Sequence, residues 1–442
     1  MSGRIFGSRR AFLALSGGSV AMLAAGCAGK ASQVSSGVPG KYSKRTAVVF
    51  WHSYGGILGE EVQKLATEFN TSQNEIYVSP QFQGSYEQTV QKTAAAIIAK
   101  KIPDIVSLSE VTWRKLHLAD ALEPMNKYFD ADLQPDMYID QFIDEGTVKG
   151  TTWWLPFARS TPLFYFNRDL FRAAGLPDRG PKTWTELKEW TPALLNAKGK
   201  HHVSKLLALD SLYASWIFQG NVWQWGGHYS DGLDIKLDTE RPLAAAHWFI
   251  DYIRNHNGAY LSQSGSIDFA NGVCACSEQS TGSLKNITEQ SKFRVGTAFL
   301  PKHEHFGCPT GGSGLGILRE TAPERKRAAF EFIKFLARPE KSAQWTMASG
   351  YLPIVKKAQQ NPDLVKLTKK NPNFRMSLRQ LPKTKPQDLV RLIESNAGYM
   401  MDVGLQQLYS SNRSVDDVFG HLADRLRSRA KLIDEVYRKH YE

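Results

Sequence analysis

Ser160 and Thr161, with Arg159 before them, are side chains of this 442-residue chain whose type and placement suit ligand chemistry. They stand in the stretch from Pro156 to Asn167, where Leu163-Phe164-Tyr165-Phe166 is an apolar run too short for a helix and typical of a buried strand. A turn is expected over its opening residues. A helix is expected from Arg168, stopping at Gly175, a residue suited to the left-handed conformation past a helix end. Two hydroxyls and a guanidinium beside a strand start suit the mouth of a cleft between two lobes. A crossover loop without ligand fits the same residues equally well. Ser280-Thr281-Gly282-Ser283 forms a polar turn ahead of a helix, where free N–H groups suit an anion, a sugar oxygen or a plain N-cap. Gly311-Gly312-Ser313-Gly314-Leu315-Gly316 lets backbone approach something closely. Its spacing fits neither a phosphate loop, nor a dinucleotide fingerprint, nor a nucleophile elbow.

Other chemistry is poorly supplied. Cys274 and Cys276 are too close to pair readily with each other, although either could bridge to Cys308, and zinc spacing is missing. Buried structural or unpaired thiols are expected. His303-Glu304-His305 is the one dense metal-like cluster and reads as an exposed loop, so no metal site and no cofactor are expected. The formal charge is +12, which leaves +9 once Arg4, Arg9 and Arg10 are removed with a leader segment. No nucleic-acid motif or dense basic stripe accompanies that charge, which reads as solvated. An exported hydrolase would need paired carboxylates or a Ser/His/Asp set that only the fold could assemble.

The elements that must hold these residues alternate. A strand at 47–51 leads to a helix with Leu58, Val62, Leu65 and Phe69 on one face, and a second strand follows at 76–78. A helix through Val90, Ala94, Ile97 and Ile98 then leads to a strand at 104–108. This rhythm predicts a parallel sheet flanked by helices, with ligands at the strand ends, where Tyr86 and Glu110 stand. Thr183 to Glu186 has capping-box spacing ahead of a helix through Leu187, Trp190 and Leu194. The aromatics Tyr213, Trp216, Trp223 and Trp225 fit a core better than a ligand platform. Further helices are expected behind Pro242 and Pro323, up to Gly350, and from Ser414 through Val436. At this length two or more lobes are expected.

The N-terminus carries an address. Met1 to Arg10 is basic, Ala11 to Ala25 is apolar but shorter than a bilayer span, and Ser8-Arg9-Arg10-Ala11-Phe12-Leu13 matches twin-arginine export. Leu23-Ala24-Ala25-Gly26-Cys27 resembles a bacterial lipobox with its leucine one place early. Cys27 would then carry the lipid, and residues 28–45 have the composition of a flexible leash. The mature chain is expected outside the cytoplasmic membrane, tethered to its outer face.

Taken together, Phe50-Trp51-His52-Ser53, Tyr86-Glu87-Gln88, Ser160-Thr161-Pro162, Pro181-Lys182-Thr183-Trp184, Ser280-Thr281-Gly282-Ser283-Leu284 and Gly350-Tyr351-Leu352-Pro353 resemble the solute-binding proteins of ABC importers. The class is the one that includes maltodextrin-binding proteins. The Tyr86, Ser160 and Ser280 runs resemble its glycerol-phosphate-binding branch. Ala158 to Tyr165, Gly175 to Pro181 and Cys308 to Gly312 resemble the actinobacterial form. The resemblance implies an α/β, two-lobe periplasmic-binding-protein fold of type II with three crossover hinge segments, near 157–162, 309–314 and 355–360. Lobe 1 would be 46–157 and 313–355; lobe 2 would be 158–312 and 356–442. It also implies a non-enzymatic, monomeric subunit that passes glycerophosphodiesters or glycerol-3-phosphate to permease subunits, with a sugar or oligosaccharide as the alternative ligand. The implied ligand positions are Tyr86, Glu110, Ser160, Tyr213, Trp216, Ser280, Gly312, Tyr351 and Arg391. In that scheme Arg391 holds phosphate oxygens with Ser280 and the Gly312 N–H, Glu110 and Ser160 take glycerol hydroxyls, and Trp216 faces the three-carbon backbone. Tyr213 departs from the Trp or smaller aliphatic residue of family members.

Overall fold

The computed structural model describes residues 31–197, 202–394 and 396–441. Cys27, the twin-arginine run and the leader lie outside the described residues. Contacts divide the chain into two units, the first made of Met1–Phe157, Ser313–Ser342 and Val436–Glu442, the second of Ala158–Gly312 and Ala343–Glu435.

The first unit is organised on a five-stranded sheet in the order Ile76–Phe82, Thr46–His52, Ile105–Ser109, Gly311–Ile317, Leu155–Ser160. Thr46–His52 runs parallel to both neighbours, and Gly311–Ile317 runs antiparallel to Ile105–Ser109. Val48, Val49 and Phe50 are fully buried, because helices cover both faces of a parallel sheet. The helix Gly56–Ser72 buries Val62, Leu65 and Phe69, as its spacing predicts. Its Phe69 meets Phe332 of the helix Pro323–Leu336, with ring centroids 5.2 Å apart. The helix Tyr86–Ile98 differs from expectation: Thr89, Val90, Thr93 and Ala96 are its buried residues, and Ile98 is exposed. Two threonines on the inner face hid the true stripe.

The second unit has its own five-stranded sheet, ordered Ala259–Ser262, Lys205–Asp210, Cys274–Ser280, Pro162–Asn167, Val295–Ala298. Lys205–Asp210 is parallel to both neighbours, whereas Pro162–Asn167 is antiparallel to both of its own. The turn expected at Pro156 is instead strand Leu155–Ser160, so only Thr161 separates it from Pro162–Asn167. Every residue of both strands is buried. Asn167 caps the next helix, Arg168–Ala173, by accepting from the N–H groups of Asp169 and Leu170. Thr183 caps Trp184–Leu195 through the Glu186 N–H. The reciprocal half of the box is replaced, because the Glu186 carboxylate accepts from Arg179 at 2.6 Å and from the Lys182 N–H.

Two stretches group differently from the lobes read in the sequence. Ala343–Val355 belongs with the second unit because Trp345 stacks on Tyr351 at 5.8 Å and the Leu352 N–H donates to the Arg159 carbonyl. The long helix Val415–Tyr441 returns its last turns to the first unit, where Tyr441 faces the Arg114 guanidinium and its hydroxyl lies 3.1 Å from His117 Nδ1. Among the described residues no helix is long and apolar enough to cross a membrane.

Candidate ligand-binding site

In the first unit Tyr86 opens the helix Tyr86–Ile98, fixed by a full capping box between Ser85 and Gln88. Its hydroxyl donates to Ser313 Oγ at 3.1 Å. Ser313 Oγ also lies 2.6 Å from the Tyr54 hydroxyl, which accepts from Ser107 Oγ at 2.9 Å. Tyr54 and Tyr86 meet edge to face with centroids 6.4 Å apart. Glu110 follows directly on strand Ile105–Ser109 and is buried. The strand end and the helix start therefore present a tyrosine hydroxyl network and a carboxylate.

The second unit holds the other seven expected positions. Strand pairing sets Ser280 opposite Pro162, two residues beyond Ser160. Ser280 Oγ accepts from the Gly282 N–H and starts the short turn Thr281–Ser283, while its carbonyl accepts from the Tyr165 hydroxyl at 2.9 Å. Tyr351 lies flat against Gly282: a Cβ there would stand 2.6 Å from its ring. It reaches that place because Leu352 pairs with Arg159, next to Ser160.

Trp216 and Arg391 are tied to this group through backbone. The Thr310 carbonyl accepts from Trp216 Nε1 at 2.8 Å and from Gln387 Nε2 at 3.2 Å. Gln387 Oε1 in turn accepts from Arg391 Nη1, and Arg391 Nε donates to Ser215 Oγ at 3.1 Å. The Trp216 ring covers Gly311, where a Cβ would lie 2.5 Å from it. Gly312 has φ +96, and a Cβ there would stand 2.0 Å from the Ala158 carbonyl oxygen, so only glycine fits this close crossing. Tyr213 stands at the start of helix Ala214–Gln224 with φ +60 and is 45% exposed. An exposed aromatic in a left-handed conformation is a strained, uncommon placement. Trp223 and Trp225 are core, as expected, and Trp216 is 7% exposed.

Reading the sequence missed Ser215, Thr310, Gln387, Tyr54 and Ser313. Thr310 acts through its carbonyl and Gln387 lies in an irregular segment, so neither carries a periodic signal. Cys274, Cys276 and Cys308 are free and buried, and burial pushes the Cys274 thiol up to about 12 and raises the thiols of Cys276 and Cys308 as well. Glu304 pairs with Arg241 at 2.9 Å and His303 stacks on Trp225. Among the described residues no group of three His, Cys, Asp or Glu could hold a metal ion.

The model for bacterial extracellular solute-binding proteins matches residues 64–375. The chain belongs to that family. It is 31% identical over 362 residues to the sn-glycerol-3-phosphate-binding periplasmic protein UgpB of Pectobacterium atrosepticum, covering 76% of this chain and 79% of that one. The UgpB of Escherichia coli strain CFT073 is 32% identical over 363 residues, with 76% and 80% covered. Among solved structures, UgpB from Mycobacterium tuberculosis in complex with glycerophosphocholine superposes with TM-score 0.83 at 31% identity, covering 87% of this chain and 98% of that one. The cyclic alpha-maltosyl-1,6-maltose binding protein of Arthrobacter globiformis, at 18% identity and TM-score 0.74 over 88% and 99% of the two chains, shares the fold. The fold is the type II periplasmic-binding fold of the maltose-binding class.

Proposed function

We propose that this chain is the substrate-binding subunit of an ABC importer, capturing glycerophosphodiesters of the glycerophosphocholine type, glycerol-3-phosphate, or both. The observation that carries the reading is the buried Arg391, joined to Trp216 and Gly311-Gly312 through Gln387 and the Thr310 carbonyl. A planar guanidinium with a fixed fork suits two phosphate oxygens, with the Ser280 hydroxyl and the Gly312 N–H as further donors. Glu110 and Ser160 take glycerol hydroxyls, Trp216 and Tyr351 give ring faces to the carbon chain, and Tyr86 and Tyr213 border the headgroup. The likeness to relatives whose names state glycerol-3-phosphate and glycerophosphocholine supports the same choice. No catalytic step is assigned.

The folded part acts outside the cytoplasm, held by lipidated Cys27 after twin-arginine export, as a monomer that hands its solute to membrane permease subunits. Loss of lipid labelling and of membrane fractionation in Cys27→Ala is the expected result; an unchanged membrane fraction refutes the anchor.

Calorimetry with glycerophosphocholine, glycerol-3-phosphate and maltose, run beside a hydrolysis assay, tests the solute. Binding of one or both phosphates without turnover is expected. Maltose binding alone would move the chain to the sugar binders, and turnover would make it an exported hydrolase.

A further inference from the structure

Residues 356–385 hold nine basic side chains against one acidic, Asp363, a net +8 within a chain of +12. In the sequence the charges are spaced and read as ordinary solvated surface. The structure brings their elements together, helix Pro362–Lys370 packing on helix Pro372–Gln380 and that helix on the turn Leu381–Lys383. Helix Pro362–Lys370 carries Lys366, Lys369 and Lys370 at spacings of three and four, and helix Pro372–Gln380 carries Arg375 and Arg379 four apart. Lys383 follows in the next short turn. All six are exposed, whereas Leu364, Phe374 and Leu381 point into the second unit. Asp363 lies in the first turn of its helix, where the helix dipole favours it, ahead of the lysine face.

This basic face is held firmly from beneath. Asn373 accepts from the Thr297 N–H and donates to the Val295 carbonyl, both at 3.0 Å, so it seals the edge strand of the sheet. Gln380 donates to the Pro162 carbonyl at 2.6 Å and accepts from the Leu300 N–H. The cations therefore sit on a fixed support, not on a loose tail.

The composition of the face decides between partners. Protein interfaces centre on aromatic anchors and are depleted in lysine. None of the exposed large hydrophobics among the described residues falls within 356–385. A leaflet of anionic lipid makes no demand for shape and attracts clustered Lys and Arg additively, within about a Debye length.

We propose that the face formed by Lys366, Lys369, Lys370, Arg375, Arg379 and Lys383 docks the folded protein onto anionic phospholipid headgroups at the membrane surface. It does so independently of any lipid anchor and of which solute the protein carries. Docking would limit the distance to membrane partners. The expected leash at 28–45 is shorter than the sequence suggested, because Ser32–Gln33 pairs with Lys101–Ile102, Gln33 Nε2 donates to the Ala47 carbonyl and Tyr42 stacks on Tyr77.

The test uses the chain from residue 27 onward with Cys27→Ser, so that no acyl chain contributes, and co-sedimentation with vesicles. Binding is expected to phosphatidylcholine vesicles containing about a third phosphatidylglycerol, not to pure phosphatidylcholine, and it should vanish near 1 M salt. Replacing Lys366, Lys369, Lys370, Arg375 and Lys383 with Gln should lower partitioning at least about a hundredfold. Replacing the exposed Lys44, Lys149, Lys205, Lys431 and Lys439 with Gln should change it by under about tenfold. Melting temperature and solute affinity, equal in both variants, show that the fold survives. Equal losses in the two variants, or no sedimentation at all, would overturn the proposal. So would retention on immobilised polyglutamate without vesicle binding, which would point to an acidic protein partner.

Discussion

Arg391 Nε donates to Ser215 Oγ at 3.1 Å, so the phosphate-binding candidate is oriented by a residue one place before Trp216 on another helix. The same hydroxyl donates to the Gly398 carbonyl, and the Ser215 N–H donates to Asp402. One serine thus links the guanidinium to two helix starts.

Arg391→Ala removes a buried charge and should weaken every phosphate-bearing ligand by a similar factor, ~2–5 kcal/mol or roughly 30-fold to a few thousandfold. Ser215→Ala removes only an orienting hydrogen bond, about 1 kcal/mol. Calorimetry on both variants checks the ranking. A larger loss in Ser215→Ala would show that the serine, and not the arginine, meets the ligand.

Tyr213 should govern the ratio between glycerol-3-phosphate and glycerophosphocholine. At a ligand position its ring would limit room for a headgroup and could also attract a quaternary ammonium by ~0.5–2 kcal/mol. Tyr213→Trp should change the ratio. Tyr213→Gly should relieve the left-handed backbone at a cost in packing that its exposure keeps small, so stability holds while diester affinity falls. A ratio unchanged in both variants would remove Tyr213 from specificity.

Gly312→Ala should lower the melting temperature by several degrees or more, since a Cβ meets the Ala158 carbonyl and φ is +96. Gly150→Ala, also at positive φ but with open space around it, should cost less. Equal melting shifts would show that backbone strain alone matters.

Stability should peak in mildly acidic solution. Burial among Phe218, Asn221 and Tyr409 pushes the Glu278 carboxyl up to about 8, and burial pushes Asp210 up to about 6. Between their unfolded values near 4 and these folded values the native state holds more protons, so stability falls as pH rises. His52 and His117 behave oppositely: burial lowers both to about 4, so stability falls as pH drops from 6.5 towards 4. Denaturant melts from pH 4 to 9 check this, and Glu278→Gln should flatten the alkaline side. An unchanged slope in that variant would place the titration elsewhere.

Much of the architecture was legible in the sequence because local chemistry writes it there. The βαβαβ opening followed from apolar runs and helical spacing, and the helix after Asn167 from its residue pattern and the stop at Gly175. The glycine run at 311–316 signalled a close backbone approach, though not its partner. Resemblance, not spacing, supplied Arg391, which no local pattern marks.

The chain by itself determined where most of its long helices and the opening strands lie, that its cysteines lack a zinc pattern, and how much charge it carries. Only the tertiary structure decided that Pro156–Ser160 is buried strand and that Tyr441 returns to the first unit. It also decided that Thr310 joins Trp216 to Gln387 and Arg391, and that scattered lysines form one face. The reason is range. Caps, turns and periodic burial are set by neighbours within a few residues, whereas Ser215 and Arg391 lie 176 residues apart and meet because the helices Ala214–Gln224 and Leu389–Ile393 both pack against helix Ala397–Ser410.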